Sequence, residues 1–495
     1  MPQKTDHKPR ARTGSGEARW GHALALDATP QAQPLYVQIA EAISADVRRG
    51  VLRPGQALPG SRSLARDLGV HRNTVLAALR ELEKQGFLMT EPARGTRISE
   101  QLPVQPLAPS VRTRGLADFP VPRAPSFRVM ATPPGHFTLL GGVPDLRHVP
   151  TAALARAYRR ALGRRANLGY GDPAGSAALR AGLATMLART RGLALTSDDL
   201  VVTRGSQMAL DLVARALLRP GDVVAVEGLG YRPAWEALRA TGAQLVPVPV
   251  DEHGLQVDRL AALAERVPLR ALYLTPHHQY PSTAVLGAPR RLQLIALARQ
   301  HRFALIEDDY DHEFHYEGRP ILPLAARAPE SVAYVGTLSK VLAPGLRLGW
   351  LVAPSPLREA IIARRSVVDR QGDLVLEEAL AELLDEGEVA RHVLRMRGLY
   401  EQRRDFMVER LRETFGETLS FTVPRGGMAL WARVRGVDVD RWAEAAASRK
   451  VLVQPGRLFS FDRRARPFLR LGYGAHDETE LARAIALLNQ ARHSL

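Results

Sequence analysis

The sequence predicts a multidomain protein. We expect a small α+β module first, then a large α/β domain around a mostly parallel sheet, and a smaller C-terminal α+β domain. The chain has 495 residues, which is more than one ordinary hydrophobic core accommodates. A short helical region near the N-terminus is followed by a proline-rich interval without sustained periodicity. From about residue 136, short apolar runs alternate with longer helical stretches, as in α/β domains.

Composition excludes several classes of chemistry. The chain contains no cysteine, so disulfides, thiolate metal sites and cysteine nucleophiles are excluded, and a reducing cytoplasm is expected. No apolar run approaches the length of a membrane span, and the basic, polar N-terminus lacks the apolar core of a secretory signal. The net charge of +17 favours polyanion partners such as nucleic acid, although a general bias toward arginine gives the same charge.

Lysine is rare in this chain, since arginine supplies almost all of the 68 basic residues. A lysine in a long lysine-free stretch is therefore a candidate for chemistry that arginine cannot perform. An amine can lose its proton and bond covalently to an aldehyde, whereas a guanidinium stays charged. The lysines are Lys4, Lys8, Lys84, Lys340 and Lys450.

The N-terminal part divides into a tail, a module and a linker. Residues 1–33 have the composition of a disordered basic tail, and residues 99–135 that of an extended, proline-rich linker. Residues 34–98 between them are the folded module. Its predicted elements are a helix from Leu35 to about Arg49, helices over 62–68 and 72–85, and a β-hairpin over 87–98.

The remainder is predicted as a large domain over residues 136–390 and a small domain over residues 391–495. Ligands of mostly parallel sheets bind beyond the carboxyl ends of the strands, so polar residues that follow strands are the candidates for a site. The predicted strands are Leu200–Thr203, Val223–Val226, Leu245–Val250, Ala271–Thr275, Phe303–Ile306, Val332–Val335 and Leu348–Val352.

Two short helices, a tight turn and a glycine-tipped hairpin form a winged helix-turn-helix. Its second helix enters the DNA major groove, where the first residues of that helix meet the base edges. Arginine can bind guanine, asparagine can bind adenine, and threonine can reach a phosphate or a thymine methyl group. An accessory bundle with solvated polar faces is the alternative interpretation. The candidate DNA contacts are Arg62, Arg72, Asn73, Thr74, and Arg94 and Gly95 at the hairpin tip.

Residues 35–98 resemble the winged helix of the GntR superfamily, and the resemblance implies binding to double-stranded operator DNA. His71 stands where the family has Ser or Thr as N-cap, so we expect the second helix of the motif to be less well capped. The matching residues are Pro34-Leu35-Tyr36, Gly55, Leu58–Ala65, Leu68-Gly69-Val70, Arg72-Asn73-Thr74-Val75, Leu79, Leu82, Gly86 and Gly95-Thr96.

In the large domain, a lysine and an acid follow two predicted strands. Lys340 follows the strand that ends at Val335, and Asp308 follows the strand that ends at Ile306. Tyr310 is close behind Asp308 in the chain. A surface charge is the alternative interpretation of Lys340, and Glu307 and Asp309 are alternatives to Asp308.

Two further features of the large domain belong with this lysine and acid: a glycine-led helix start and an aromatic residue after a strand. A glycine-led turn before a helix offers free N–H groups to a phosphate, although it is more often a plain helix cap. Tyr231 follows another strand as a flat partner for a ring, or as simple packing. Lysine, acid, anion site and ring partner are the four groups that pyridoxal phosphate (PLP) requires. The candidate phosphate ligands are Gly205, Ser206, Gln207, Arg347 and Thr337.

Residues 136–495 resemble fold-type I PLP aminotransferases, and the two halves together resemble the MocR/GabR subfamily of GntR regulators. The resemblance implies a fold-type I aminotransferase-like domain and the roles given above. The matching motifs are Tyr170–Gly175, Gly205-Ser206-Gln207, Gly230-Tyr231, Thr275–Pro281, Glu307–Asp311, Thr337–Lys340, Pro344–Gly349 and Leu469–Gly472.

The resemblance adds three residues. Arg470 is implied to bind the α-carboxylate of an amino-acid-like ligand. Tyr280 occupies the place of an Asn beside the O3′ oxygen, to which Tyr310 can also donate. Tyr170 is implied to reach the phosphate of a neighbouring subunit, so a homodimer is expected. A surface arginine and core aromatic rings are the alternatives, and we assign no metal ligands.

Two functions remain open from the sequence. The first is a DNA-binding transcription regulator in which PLP on Lys340 senses an amine or amino acid, or in which PLP itself is the effector. The second is an active aminotransferase, or an enzyme limited to half-transamination, with an appended DNA-binding domain. A scaffold without PLP is the third and least favoured interpretation.

Overall fold

The computed structural model describes residues 33–91, 95–103, 120, 132–318 and 321–495. The chain divides into two compact units, Met1–Arg123 and Ala124–Leu495. Residues 1–32 of the predicted tail and most of the predicted linker lie outside the described residues. The exact domain boundaries that we assigned from the sequence remain predictions.

The first unit contains the predicted winged helix-turn-helix elements. Apolar residues at helical spacing, such as Ile39, Ile43 and Val47, are buried on the first helix and explain why it packs here. The second helix ends at Gly69, whose φ of +67° suits a residue without a Cβ. The elements are α1 (Leu35–Arg48), α2 (Ser61–Leu68), α3 (Arg72–Lys84), β1 (Leu88–Glu91) and β2 (Gly95–Ile98).

Helix α3 has a side-chain cap, although we expected it to be less well capped than in the family. His71 occupies the N-cap position, and its ring Nδ1 accepts a hydrogen bond of 3.2 Å from the Asn73 backbone N–H. An imidazole nitrogen thus replaces the hydroxyl oxygen that Ser or Thr supplies at this position.

The helices of the second unit cover the faces of a central sheet or pack on a smaller one. None of the described helices combines the length and the apolar character needed to cross a membrane. They are α4 (Thr151–Leu162), α5 (Ala177–Arg191), α6 (Ser206–Leu217), α7 (Arg232–Arg239), α8 (Val257–Ala264), α9 (Ala288–His301), α10 (Ser355–Val368), α11 (Leu374–Asp385), α12 (Glu388–Phe415), α13 (Val439–Ser448) and α14 (Glu478–Arg492).

The strands of the second unit begin with the short β3 (Phe137–Thr138), which pairs with a strand more than 300 residues later. The others are β4 (Leu200–Thr203), β5 (Val223–Glu227), β6 (Gln244–Val248), β7 (Val250–Asp251), β8 (Gly254–Leu255), β9 (Leu269–Leu274), β10 (Ala304–Asp309), β11 (Val332–Thr337), β12 (Gly349–Val352), β13 (Leu419–Ser420), β14 (Ala429–Val434), β15 (Val451–Leu452), β16 (Gln454–Pro455) and β17 (Phe468–Gly472).

The central sheet has the order β4-β12-β11-β10-β9-β5-β6. Strand β12 runs antiparallel to both of its neighbours, and the other pairings are parallel. Strands β4, β11 and β12 are buried along their whole length, which explains their continuous apolar runs. The prediction of a mostly parallel sheet is confirmed, and the carboxyl ends of β5, β10 and β11 lie at one edge.

A second, antiparallel sheet has the order β13-β14-β17-β16. It forms its own hydrophobic core with α12, α13 and α14, around the fully buried Trp442 and Leu469. Leu139 and Phe314 join this core from earlier in the chain. The core is of the kind that the predicted C-terminal α+β domain requires, and β17 contributes Leu469 and Leu471 to it.

Candidate cofactor pocket and nucleic-acid interface

The predicted lysine and acid lie at the carboxyl ends of adjacent strands. Asp308 is the penultimate residue of β10 and is paired in register with Val335 of β11. Lys340 lies three residues beyond Thr337, the last residue of β11. The parallel pairing of these strands therefore brings an amine and a carboxylate, 32 positions apart in the sequence, to one pocket.

One carboxylate oxygen of Asp308 accepts a hydrogen bond, and the other has no partner among the described residues. Its Oδ2 accepts a hydrogen bond of 2.9 Å from the Tyr273 hydroxyl. Its Oδ1 is buried without a hydrogen-bond partner among the described residues. Burial raises the pKa of Asp308 to about 7, and the nearby Asp309 and Asp311 act in the same direction. A cationic N–H at Oδ1, such as that of a protonated pyridine ring, would satisfy this oxygen and restore the carboxylate form.

The surroundings of Lys340 make its ammonium group easier to deprotonate than that of an ordinary lysine. Burial lowers its pKa to about 8, and the positive charge of Arg470 contributes in the same direction. Gly142, at a φ of +76°, lies against the side chain, and a Cβ there would be 3.3 Å from Lys340 Nζ. Glycine thus leaves room at the amine for an incoming group, as a covalent ligand requires.

The lowered pKa of Lys340 predicts how cofactor capture depends on pH. At pH 7 about one amine in ten is neutral, against about one in three thousand for an ordinary lysine. We therefore expect the rate at which cofactor-free protein captures PLP to rise with pH and to reach half its maximum near pH 8. Stopped-flow absorbance measures this rate, and a midpoint near 10.5 would contradict the burial argument.

Three of the predicted phosphate ligands, Gly205, Ser206 and Arg347, meet at the start of α6. Gly205 is the N-cap of this helix, with a φ of +80°, and Ser206 is its first residue. A Cβ on Gly205 would be 3.3 Å from the Arg347 guanidinium, which donates a 2.9 Å hydrogen bond to the Arg204 carbonyl. Gln207 instead donates to the Pro233 carbonyl at 2.9 Å. Free N–H groups beside a guanidinium suit a phosphate dianion.

Thr337 has a local role in the structure. Its hydroxyl lies 2.9 Å from Ser339 Oγ and 3.0 Å from the Leu348 carbonyl oxygen, and it accepts from the Ser339 N–H at 3.1 Å. These contacts brace the turn that carries Lys340. A direct phosphate contact by Thr337 stays a prediction.

Three tyrosines surround the pocket. The ring of Tyr280 makes edge contacts with Tyr231, at 5.5 Å between centroids, and with Tyr310, at 5.9 Å. The Tyr310 hydroxyl donates to the His278 carbonyl at 3.0 Å. Burial raises the pKa of both Tyr231 and Tyr310, so both hydroxyls stay protonated donors. Their assigned contacts with the ring and with O3′ remain predictions.

The loop that carries Tyr280 is fixed by a buried acid. Glu227, at the end of β5, accepts a 2.8 Å hydrogen bond from the Thr275 hydroxyl, and that hydroxyl accepts from the Tyr280 N–H at 2.9 Å. Burial raises the pKa of Glu227 to about 7. The loop is therefore positioned by side chains at the same sheet edge as the lysine and the acid.

Arg470 is a buried cation with unused donors. It is 1% exposed on β17, and its Nε and Nη1 have no hydrogen-bond partner within the described part of the chain. Its guanidinium lies 4.3 Å from the centroid of the Tyr280 ring. A Cβ on Gly141 would overlap with this guanidinium. A buried, unpaired guanidinium is costly unless an anion completes it, and a carboxylate accepts two of its donors at once.

Tyr170 lies apart from this group as an exposed side chain. It is 81% exposed, and the Arg370 guanidinium lies 4.1 Å from its ring centroid. A large exposed aromatic ring suits an interface between subunits. The contact with a partner's phosphate therefore stays a prediction.

Sequence reasoning missed three contributors to the pocket. Tyr273 donates to Asp308, and Gly141 and Gly142 make room for Arg470 and Lys340. The adjacent pair of glycines was the available signal, since glycine often marks a site where another group approaches the backbone closely. The role of Tyr273 could not be predicted, because in the sequence it is one of several residues in the apolar run of a buried strand.

In the first unit, the candidate DNA contacts lie at the start of α2 and α3. Arg62, Arg72 and Asn73 are exposed, and Thr74 is partly buried. Arg72 Nε donates to Ser61 Oγ at 3.3 Å, which links the two helix starts. Arg94 lies outside the described residues, and Gly95, with a φ of +75°, begins β2. The exposed start of α3 is the surface that a recognition helix presents to base edges.

Replacing Arg72 with alanine is expected to weaken operator binding by about 1–3 kcal/mol and to relax preference at one base pair, if the guanidinium binds guanine. Fluorescence anisotropy with operator variants measures both effects. Arg80, exposed two turns later on α3, is the matched control for lost charge. Equal losses for Arg72→Ala and Arg80→Ala, without a change in base preference, would remove Arg72 from the base contacts.

Two family comparisons agree with this architecture. Residues 35–98 match the family described as bacterial regulatory proteins, gntR family. Residues 140–488 match aminotransferase class I and II. The second match covers most of the chain and contains every pocket residue described above.

Similar proteins share both halves. The chain is 30% identical to the probable rhizopine catabolism regulatory protein MocR of Rhizobium meliloti, over 92% of this chain and 94% of that protein. It is 31% identical to the HTH-type pyridoxine biosynthesis transcriptional regulator PdxR of Corynebacterium glutamicum, over 92% and 95%.

A solved structure resembles the second unit. The α-aminoadipate aminotransferase LysN of Thermus thermophilus, in complex with N-(5′-phosphopyridoxyl)-L-leucine, matches with a TM-score of 0.68 and 28% identity. The match covers 73% of this chain and 93% of that one. With a GntR helix-turn-helix joined to an aminotransferase class I and II domain, the chain belongs to the MocR/GabR subfamily of GntR regulators.

Proposed function

We propose that this protein is a PLP-dependent, DNA-binding transcription regulator that senses an amino acid through its aminotransferase-like domain. One observation carries the proposal: a winged helix-turn-helix is joined to a pocket that contains three unusual groups. They are Lys340 with a lowered pKa, Asp308 with one oxygen that accepts no hydrogen bond, and Arg470 with two donors that have no partner in the described chain. A pocket that served only structure would not leave the Asp308 Oδ1 atom and two Arg470 donors buried without hydrogen-bond partners.

The residues of the pocket fit the cofactor. Bound PLP supplies an aldehyde carbon that bonds to amines and a ring that accepts electrons. Lys340 would offer the amine, and Asp308 Oδ1 would accept a hydrogen bond from the protonated ring nitrogen. The N–H groups at Gly205, Ser206 and Gln207 and the Arg347 guanidinium would hold the phosphate. Tyr231 would cover the ring, and the Tyr310 hydroxyl, which donates to the His278 carbonyl at 3.0 Å, would turn to donate to O3′ instead.

Arg470 favours an effector with a carboxylate. Because two of its donors have no partner in the described chain, an amino acid would leave fewer buried groups unsatisfied than a simple amine. PLP itself is the other candidate effector, and it would not need Arg470. The response to an amino acid, to its decarboxylated amine and to PLP therefore separates the three ligands.

On DNA, we propose that the start of α3 contacts base edges in the major groove of a double-stranded operator. A homodimer would present two such helices to two half-sites, and the exposed Tyr170 would contribute to the pocket of its partner. Sedimentation of the PLP-loaded protein tests the dimer. Mixed dimers that combine Tyr170→Phe and Lys340→Ala chains test whether the pocket is shared.

The direct test is a ligand screen on PLP-loaded protein, with PLP absorbance and operator binding measured on the same samples. A ligand that changes both supports the regulator. Steady-state turnover with an amino donor and a keto acid tests the alternative of an aminotransferase with an appended DNA-binding domain. Sustained turnover without any effect on operator binding would favour that enzyme over the regulator.

A further inference from the structure

Three histidines from two segments meet beside the cofactor pocket. His277 and His278 lie in the loop after β9, and His315 lies in the segment after β10. One ring nitrogen from each can be chosen so that all three lie within 4.8 Å of one another. The ring of His277 is tilted by 62° to that of His278 and by 51° to that of His315, so the rings do not stack.

These imidazoles are buried and lack partners. His277 is 5% exposed and His278 is 1% exposed. The Nε2 atoms of both, and both ring nitrogens of His315, are buried without a hydrogen-bond partner in the part of the chain that the structure describes. Four buried, unsatisfied imidazole nitrogens in one place need an explanation, since buried polar groups are nearly always paired.

Neighbouring residues orient the histidine rings in the way that is common for metal ligands. His278 Nδ1 lies 2.8 Å from Asp311 Oδ1, which leaves Nε2 as the free nitrogen, as in the carboxylate–histidine pairs of zinc sites. His315 forms a backbone bridge with Gly426. A Cβ on Gly426 would lie 2.5 Å from His278 Nε2, so glycine keeps the space before this nitrogen open.

The charged groups around the cluster also suit a cation. The carboxylates of Asp309 and Asp311 face the cluster, and the cations Arg291 and Arg397 oppose them. Imidazole nitrogens with a carboxylate hydrogen-bonded to one of the rings are a ligand set that Zn²⁺ binds.

We propose that His277, His278 and His315 form a binding site for a divalent transition-metal ion, and that this ion is Zn²⁺. Three imidazoles without a thiolate leave the fourth position of a tetrahedral ion to water or an exogenous ligand. His315 also lines a cavity of about 890 Å³ beside the cluster. The proposal does not depend on PLP or on DNA binding.

A second grouping of His277, Asp309 and His312 is less suited to a metal ion. The rings of His277 and His312 are stacked, 4.3 Å apart and 26° from parallel, so their in-plane lone pairs do not converge. Asp309 Oδ2 already accepts a 2.6 Å hydrogen bond from Tyr334 and lies 3.5 Å from Arg191 Nε. The site is therefore the one with three histidines.

The test is Zn²⁺ binding by the full, PLP-loaded chain, freed of unbound PLP and of any histidine tag, in competition with a chromophoric chelator. We expect one ion per chain and an affinity at least tenfold weaker in His315→Ala. His253→Ala removes an exposed histidine in the same unit and should bind as the wild type does. Equal affinity in His315→Ala and the wild type would overturn the site.

A measurement on the wild type keeps the proposal testable if His315→Ala does not fold. Zinc K-edge X-ray absorption of the one-to-one complex should show three imidazole nitrogens at about 2.0–2.1 Å. Absence of imidazole scattering, or binding of less than one ion per chain, would assign the metal to the surface and refute the site.

Discussion

Replacing Lys340 with alanine is expected to abolish covalent capture of PLP while the protein keeps its fold. Lys340 supplies the amine, and burial has lowered its pKa to about 8, so the amine is poised to lose its proton. The substitution removes a desolvated cation, not an apolar side chain of a hydrophobic core. Borohydride reduction followed by mass spectrometry should find the cofactor on the wild type and none on the variant.

Lys450 provides the matched control for this experiment. It is the other lysine of the second unit, it is exposed, and its replacement with alanine should leave the adduct unchanged. Circular dichroism verifies that both variants fold. A reducible adduct that persists in Lys340→Ala would assign the chemistry to another amine.

Replacing Arg470 with methionine is expected to remove the response to amino acids. Loss of one partner of a buried, hydrogen-bonded charge pair costs about 2–5 kcal/mol, which corresponds to roughly 30-fold to several-thousand-fold weaker binding. Arg470 also lowers the pKa of Lys340 through its charge, so the variant should raise that pKa and shift PLP capture to higher pH. Titration of PLP absorbance measures both effects.

Two comparisons separate the carboxylate contact from general damage to the pocket. An amine without a carboxylate should bind the wild type and Arg470→Met with similar affinity. Arg433→Met, on the neighbouring strand β14, removes an exposed arginine and should leave the response intact. An unchanged affinity of Arg470→Met for amino acids would exclude Arg470 as the carboxylate contact.

Much of the fold could be predicted because its central strands are buried on both faces. Continuous apolar runs such as Leu200–Thr203 stand out between helices, and the structure has a strand at each predicted run. The reversal of β12 within the sheet had no such signal, since a buried antiparallel strand has the same composition as a parallel one. The pairing of β3 with β15 joins distant two-residue strands that are too short to show any period.

The sequence predicts those site residues that follow strands, because the topology of the sheet brings the strand ends together. Lys340 and Asp308 each follow an apolar run, and the parallel pairing of β10 and β11 makes them neighbours. The unpaired donors of Arg470 and the space at Gly141 depend on how the second sheet packs against the first, which residue spacing does not encode. The histidine cluster was missed for the same reason, since His315 approaches His277 only in the folded chain.

The central claim is that ligand binding in the pocket and operator binding by the winged helix are coupled. Coupling between two binding sites is reciprocal, so the factor by which a ligand changes operator affinity must equal the factor by which operator changes ligand affinity. Both are measured on the PLP-loaded wild type, by anisotropy of labelled operator and by PLP absorbance. The account predicts equal factors different from one. A ligand that titrates the absorbance fully while both factors equal one would contradict it.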